Sequence, residues 1–82
     1  MEEDYSWVIR GKQRRKVLKT MNKAKIPTEI KEETKLSLNN VSDVLRDFRK
    51  KKIVKLLNPK DKTGRLYKLT PKGMKIKEML EK

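Results

Sequence analysis

Polar side chains able to contact a base or a phosphate follow one another at helical spacing in the stretch Ser37 to Lys52, SLNNVSDVLRDFRKKK. Ser37 can cap a helix, because its side-chain oxygen accepts a hydrogen bond from a free amide of the first turn. Amide, hydroxyl and guanidinium groups recognise base edges in a DNA major groove. The stretch predicts either a base-reading helix or an ordinary amphipathic surface helix. Its polar front carries Asn39, Asp43, Arg46 and Lys50, with Asn40 and Ser42 on the flanks.

The opposite face of this stretch is apolar and must lie on a core. Its apolar residues recur at three- and four-residue steps, which predicts a helix over residues 38–50: Leu38, Val41, Val44, Leu45 and Phe48. Before it, Pro27 suits the first position of a shorter helix, Pro27 to Thr34, because its missing amide costs nothing there. Two helices joined by a tight turn at Lys35 and Leu36, the second with a polar front, describe a helix-turn-helix.

The composition limits the chain to one small domain, residues 1–82, with a small core. Hydrophobic residues make up 34% and charged residues 43%, and the net charge is +13. This excess indicates a polyanionic partner, nucleic acid first and an anionic membrane surface second. No apolar run has the length of a membrane span, and the acidic start does not resemble a signal peptide. We therefore expect a cytoplasmic, nucleoid-associated protein without a membrane partner.

The sequence contains no Cys and no His. Their absence excludes disulfides, thiolate or imidazole metal sites, and nucleophiles or bases built on these residues. No paired carboxylates, phosphate-binding glycine loop or nucleophile–base pair can be found among the remaining residues. We expect no enzyme, no metal and no cofactor.

The N-terminal quarter is basic after an acidic start. Residues 1–4, which include Glu2, Glu3 and Asp4, are expected to be a frayed terminus. Tyr5 to Met21 predicts a first helix, broken or kinked near Gly11. Its basic run is either a solvated face or a surface along a phosphate backbone, and it includes Arg14 and Arg15.

The spacing of the apolar residues changes in the C-terminal third of the chain. Lys52 to Asn58 and Arg65 to Leu69 predict two strands, joined by the turn formers of Asn58 to Gly64. The hairpin is basic at its tip, with Lys60, Lys62 and Arg65. Thr70 and Pro71 then begin a last helix by cap and proline. Its apolar stripe either closes the core of one chain or pairs with a second copy: Ile76, Met79 and Leu80, with Met74 nearby.

Four strings of the sequence match a known pattern in order and spacing. PTEIKEETKLS (27–37) is similar to P-x-E-I-A-x-x-T-x-L-S, and NVSDVLRDF (40–48) is similar to x-V-S-x-x-L-x-x-L. KKIV (51–54) is similar to K-x-G-L-V, and GRLYKLTPKG (64–73) is similar to R-x-Y-x-L-T-x-x-G. The pattern is that of MarR/ArsR-type prokaryotic winged helix-turn-helix transcription regulators, which the chain resembles from about Val17 to Leu80.

The resemblance implies a mainly α fold with a small β-hairpin (α+β): a three-helix core, a wing and a C-terminal helix. It also implies sequence-specific binding of double-stranded DNA, with the 38–50 helix in the major groove and a basic wing at 58–66 on the backbone or minor groove. By position, the implied base-reading residues are Ser37, Asn39, Asn40, Ser42, Asp43 and Arg46. The implied backbone contacts include Lys60, Lys62 and Arg65 on the wing, and we add Lys50, Arg14 and Arg15.

The chain departs from the pattern at three positions. Lys35 and Lys52 stand where glycine is usual, and Lys52 then needs an unusual backbone angle. Asp43 stands where a basic residue is frequent. It either orients Arg46, three residues on, or accepts a hydrogen bond from a cytosine amine.

Alternative functions remain open. A winged-helix module can bind protein or RNA instead, and the acids of the second helix with Asp43 and Asp47 favour that interpretation. A non-specific architectural DNA-binding protein is a third option. A homodimer through the first and last helices would double the site that a single helix can read. No small-molecule effector is indicated.

Overall fold

The computed structural model describes residues 2–81, which form five helices and a two-stranded hairpin. Met1 and Lys82, the two ends of the predicted domain, lie outside the described residues. Met1 was also part of the predicted frayed terminus. The predicted winged helix-turn-helix architecture, mainly α with a small hairpin, is confirmed. In chain order the elements are α1 (Glu2–Ile9), α2 (Lys12–Thr20), α3 (Pro27–Thr34), α4 (Leu38–Lys50), β1 (Val54–Leu56), β2 (Tyr67–Leu69) and α5 (Pro71–Leu80).

The helix starts follow the local signals in the sequence. The Ser37 Oγ accepts a hydrogen bond from the Asn40 amide at 3.1 Å, and the Thr70 Oγ1 accepts one from the Gly73 amide at 3.1 Å. Pro27 and Pro71 stand in the first positions of α3 and α5. Helices α3 and α4 have the predicted bounds because these caps and prolines act locally.

The predicted first helix is two helices. Gly11 is extended, with φ −108° and ψ 113°, and it separates α1 from α2. The break near Gly11 is thus confirmed.

Glu2, Glu3 and Asp4, which were expected from the sequence in a frayed terminus, form the first turn of α1. Asp4 is bound on two sides, because its carboxylate oxygens lie 2.5 Å from the Lys72 Nζ and 3.6 Å from the Lys51 Nζ. The hydrogen bond from Lys72 is the main cause that lowers the pKa of Asp4, and the charges of Lys72 and Lys51 add to it. These ion pairs hold α1 against α5 and the end of α4.

One hydrophobic core draws residues from every helix and both strands. Its largest fully buried side chains are Phe48, Leu18, Ile30, Leu45, Ile53 and Ile76. Leu80 packs against this core, so the stripe of α5 closes the core of the chain itself, and Met74 is left 50% exposed. Trp7 packs edge-on against Phe48, with ring centroids 5.8 Å apart at 70°.

The hairpin is antiparallel and shorter than predicted, with Val54 opposite Leu69 and Leu56 opposite Tyr67. Lys52 begins no strand because it is left-handed, with φ 61°. Its carbonyl accepts a hydrogen bond from the Thr70 Oγ1 at 2.6 Å. The unusual backbone angle expected at Lys52 is therefore confirmed, and Lys35 has one as well, with φ 64°.

Lys25, a charged residue in the turn before α3, lies inside the fold. Its backbone adds a bridge to the hairpin, since its amide donates to the Tyr67 carbonyl at 2.9 Å and its carbonyl accepts from the Tyr67 amide at 2.9 Å. Its side chain is paired with Glu33 of α3. Lys25 therefore joins the turn before α3, the helix α3 and strand β2.

Gly73 allows α5 to approach the hairpin closely. A Cβ at this position would lie 2.1 Å from the Ile53 carbonyl oxygen. The Thr70 amide donates to the same oxygen at 3.0 Å. Glycine is required here by the packing of α5 on the start of β1.

Among residues 2–81 no helix is long and apolar enough to cross a bilayer.

Candidate nucleic-acid interface

A groove of about 540 Å³ runs between α4 and the loop that joins the two strands. We call this loop, residues 57–66, the wing loop, and the groove the wing groove. One wall comes from α4, the other from the wing loop, and the start of α3 closes the end at Ile26, Pro27 and Thr28. The polar residues of its two walls are Ser42, Asp43, Arg46 and Arg49 from α4, and Lys62, Thr63 and Arg65 from the wing loop.

The structure brings part of the predicted base-reading set to the wing groove. Ser42, Asp43 and Arg46 line it and are exposed. Asn39 is exposed and Asn40 is half-buried, and both lie in the first turn of α4 outside the groove lining. The Ser37 oxygen is occupied as the cap of α4. Lys50 is exposed at the far end of the helix.

Arg46 is held between two carboxylates on its own helix. Its Nη1 lies 3.4 Å from the Asp43 Oδ1, and its Nε lies 4.0 Å from the Asp47 Oδ1. The side chains of Arg46 and Asp43 are 62% and 60% exposed, and that of Asp47 is 43% exposed. Exposed pairs of this kind add little to folding. Their effect is to limit the directions in which the Arg46 guanidinium points.

The wing loop has a defined shape because Asn58 bonds across it. The Asn58 Oδ1 accepts from the Leu66 amide at 2.7 Å, and its Nδ2 donates to the Gly64 carbonyl at 3.1 Å and to the Asp61 carboxylate at 3.0 Å. The Arg65 Nε donates to the Asp61 carbonyl at 3.3 Å. Sequence reasoning identified Asn58 only as a turn former. Lys60 and Lys62 are exposed on the tip that this network supports.

The structure does not bring Arg14 and Arg15 into the wing groove. Both are half-buried and cap α1: Arg14 donates to the Trp7 carbonyl at 2.6 Å, and Arg15 donates to the Ile9 carbonyl. The Arg14 guanidinium also lies 4.1 Å from the centre of the Trp7 ring. The reason is the break at Gly11, because it leaves the last carbonyls of α1 in need of donors. The predicted phosphate contacts at Arg14 and Arg15 therefore compete with contacts inside the fold.

Three groove residues with polar side chains were not among the predicted site residues: Thr28, Arg49 and Thr63. For Arg49 a signal existed, because it follows Arg46 by three residues and Ser42 by seven on the same helix face. Leu38 was assigned to the apolar back of α4, and this was wrong. It is 45% exposed and lines the groove, since the first turn of α4 extends beyond the cover of the core.

The charge of the wing groove suits a polyanion. Among the lining residues, Arg46, Arg49, Lys62 and Arg65 are basic and Asp43 is acidic. Within residues 2–81 no cluster of three or more acidic residues is placed to hold a metal ion. The arrangement can bind phosphates on the wing side and present hydrogen-bonding groups from α4 to bases.

No protein-family model matches the chain, and no curated protein matches it. Solved structures do. MarR from E. coli in its reduced form is 31% identical, with a TM-score of 0.76 over 94% of this chain. A point variant of E. coli MarR complexed with operator DNA is 33% identical, with a TM-score of 0.71 over 82% of this chain. A further MarR family transcription regulator, at 16% identity and a TM-score of 0.77 over 98% of this chain, shows the fold alone.

The chain spans only part of these neighbours. It covers 59% of the reduced E. coli MarR chain, 50% of the E. coli MarR variant complexed with operator DNA, and 60% of the third chain. The likeness supports the MarR type of the resemblance seen in the sequence and does not bear on the ArsR type.

Proposed function

We propose that this chain is a MarR-type transcription regulator that binds double-stranded DNA with sequence preference. The observation that carries the proposal is the wing groove, a basic groove between α4 and the wing loop in a fold similar to a MarR structure complexed with operator DNA. The neighbours are transcription regulators, which supports a binding function over an enzymatic one.

In the proposed complex α4 enters the major groove with its polar front toward the bases. Its 13 residues span about 20 Å, and a B-DNA major groove, about 12 Å wide, admits a helix. The wing loop, residues 58–66 in particular, lies on the backbone or in the adjacent minor groove. Lys60, Lys62 and Arg65 then contact phosphates, and Ser42, Arg46 and Asn39 face base edges.

Fluorescence anisotropy with a labelled duplex of random sequence tests DNA binding directly. We expect binding at low salt that weakens as salt rises. If about six phosphates are contacted, the slope of log affinity against log salt is near −5. Absence of binding to duplex DNA at low salt would contradict the proposal.

A protein- or RNA-binding module is the second candidate, because Asp43 and Asp47 place exposed carboxylates on the front of α4. Competition separates the two functions. Unlabelled duplex DNA displaces the labelled duplex at lower concentration than structured RNA if the chain is a DNA-binding protein, and the order is reversed if it binds RNA.

A non-specific architectural protein is distinguished by selection of duplexes from a random pool, since it enriches no motif. An enriched palindrome would in addition support a homodimer through the first and last helices predicted from the sequence, because two-fold symmetric proteins select two-fold symmetric sites.

A further inference from the structure

We infer that Asp43 and Arg46 act as one reading unit that selects a G·C base pair, with guanine opposite Arg46 and cytosine opposite Asp43. The inference rests on the proposed function and assigns a base preference to its recognition helix. It starts from the ion pair between the Arg46 Nη1 and the Asp43 Oδ1, 3.4 Å apart on one face of α4. Both side chains line the wing groove, so both face the proposed DNA.

The position of Asp43 needs an explanation other than stability or phosphate binding. It is 60% exposed, and an ion pair at that exposure contributes little to folding. It is also the acidic member of a groove whose other charged lining residues are basic, where a carboxylate repels phosphate. An ionised carboxylate only accepts hydrogen bonds. The groups it can bind in a major groove are therefore the amines of cytosine and adenine.

Arg46 has donors left over for a base. A guanidinium carries five N–H groups, and the pair with Asp43 engages Nη1. Asp47, with its Oδ1 4.0 Å from Nε, limits rotation on the other side. The remaining N–H groups match the two acceptors of guanine, O6 and N7, which is the commonest specific contact of arginine.

The two side chains together complement one base pair. A G·C pair presents the O6 and N7 acceptors beside the N4 amine donor of its cytosine. With A·T at the same place, the thymine O4 would face the Asp43 carboxylate, and two acceptors would meet without a proton between them. One bidentate contact discriminates by roughly 5- to 150-fold against the wrong base.

Selection from a random duplex pool at fixed salt tests the inference with the wild type, D43N and R46A. Controls are E32Q, an exposed carboxylate on α3, and K75A, an exposed lysine on α5, which change the charge equally outside the groove. We expect the wild type to enrich G·C at one position, R46A to lose that preference, and D43N to lower it by about tenfold or more. Both controls keep the wild-type motif.

Thermal unfolding shows whether the variants fold, and we expect D43N and R46A to melt with the wild type because both side chains are exposed. The inference is overturned if D43N selects the same motif with the same enrichment. It is also overturned if the position that R46A loses is A·T in the wild type. Failure of the wild type to bind any duplex overturns the proposed function instead, and binding without a motif overturns its sequence preference.

Discussion

The ammonium group of Lys25 lies 2.8 Å and 2.6 Å from the two carboxylate oxygens of Glu33, inside a fold that leaves Lys25 only 3% exposed. Glu33 is 47% exposed at its side chain, so the pair has one buried and one half-exposed partner. Removal of one partner from such a pair costs more than removal of both, because it leaves a charge without compensation. Loss of Glu33 is therefore expected to lower stability more than loss of Lys25, because only the first leaves a buried charge without a partner.

For this pair we expect Glu33→Ala to lower the free energy of unfolding by about 1–3 kcal/mol, since the buried Lys25 ammonium loses its acceptors. Lys25→Met replaces the charged group by an apolar one of similar length and should change stability by less than about 1 kcal/mol. Urea unfolding of both variants and the double variant measures the coupling. Equal changes in unfolding free energy for the two single substitutions would contradict a buried Lys25 charge that depends on Glu33.

Gly73→Ala should destabilise the fold, although glycine-to-alanine substitution at a solvent-exposed helix position usually stabilises a protein. The new Cβ would lie 2.1 Å from the Ile53 carbonyl oxygen, so α5 must move away from β1. We expect a loss of about 1–3 kcal/mol or more in unfolding free energy. Met74→Ala, at the next and half-exposed position, is the control and should have a small effect. A stabilised Gly73→Ala protein would refute the close approach.

Lys52→Gly should stabilise the fold. Lys52 has φ 61°, a conformation that costs an L-residue about 1–2 kcal/mol, whereas glycine adopts it freely. After the larger entropy of glycine in the unfolded chain is subtracted, we expect a gain of about 0.5–1 kcal/mol. Lys50→Gly makes the same charge change inside α4 and should lose about 1 kcal/mol. Chemical denaturation distinguishes the two, and a loss at both positions would contradict the left-handed backbone.

Lys62→Ala should weaken binding to all duplexes alike, because the wing tip is proposed to contact phosphate. The slope of log affinity against log salt should fall by about one. Lys75→Ala removes the same charge from α5 and is the control. An anisotropy titration at several salt concentrations gives both quantities. A change of motif in Lys62→Ala would mean that the wing reads bases.

The ion pairs of Asp4 should make stability depend on pH in the acid range. Because Lys72 and Lys51 lower the pKa of Asp4 in the folded protein, their stabilising effect is fully present above the ordinary pKa of 3.8. It is lost as pH falls through the lower pKa of the folded state. Asp4→Asn should therefore be less stable than the wild type near neutral pH and approach it in acid. Urea unfolding from pH 2 to pH 7 tests this, with the exposed acid Glu3→Gln as control. A constant difference would exclude the linkage.

The sequence predicted those parts of the fold whose causes are local. The bounds of α3 and α4 follow from Pro27, the Ser37 cap and the apolar spacing, all within a few residues of the helix ends. The break near Gly11 was also predicted, but its consequence was not. The roles of Arg14 and Arg15 depend on carbonyls that the break leaves free in a different helix.

Contacts between distant parts of the chain were harder to predict. Nothing near Lys25 in sequence indicates burial, because its partners are Glu33 and the backbone of Tyr67. The family resemblance implied that α4 and the wing both face DNA, but neither it nor helical spacing gave the groove that Ser42, Arg46 and Lys62 line together. Their contacts with DNA stay predictions.

Trp7 is the only tryptophan of the chain, and its ring lies against Phe48 of α4 with Arg14 4.1 Å from the ring centre. The sequence thus supplies a single tryptophan fluorophore, which lies where α1 contacts α4. Its emission should shift when α1 separates from α4, so the docking of α1 can be followed by tryptophan fluorescence in the unlabelled protein.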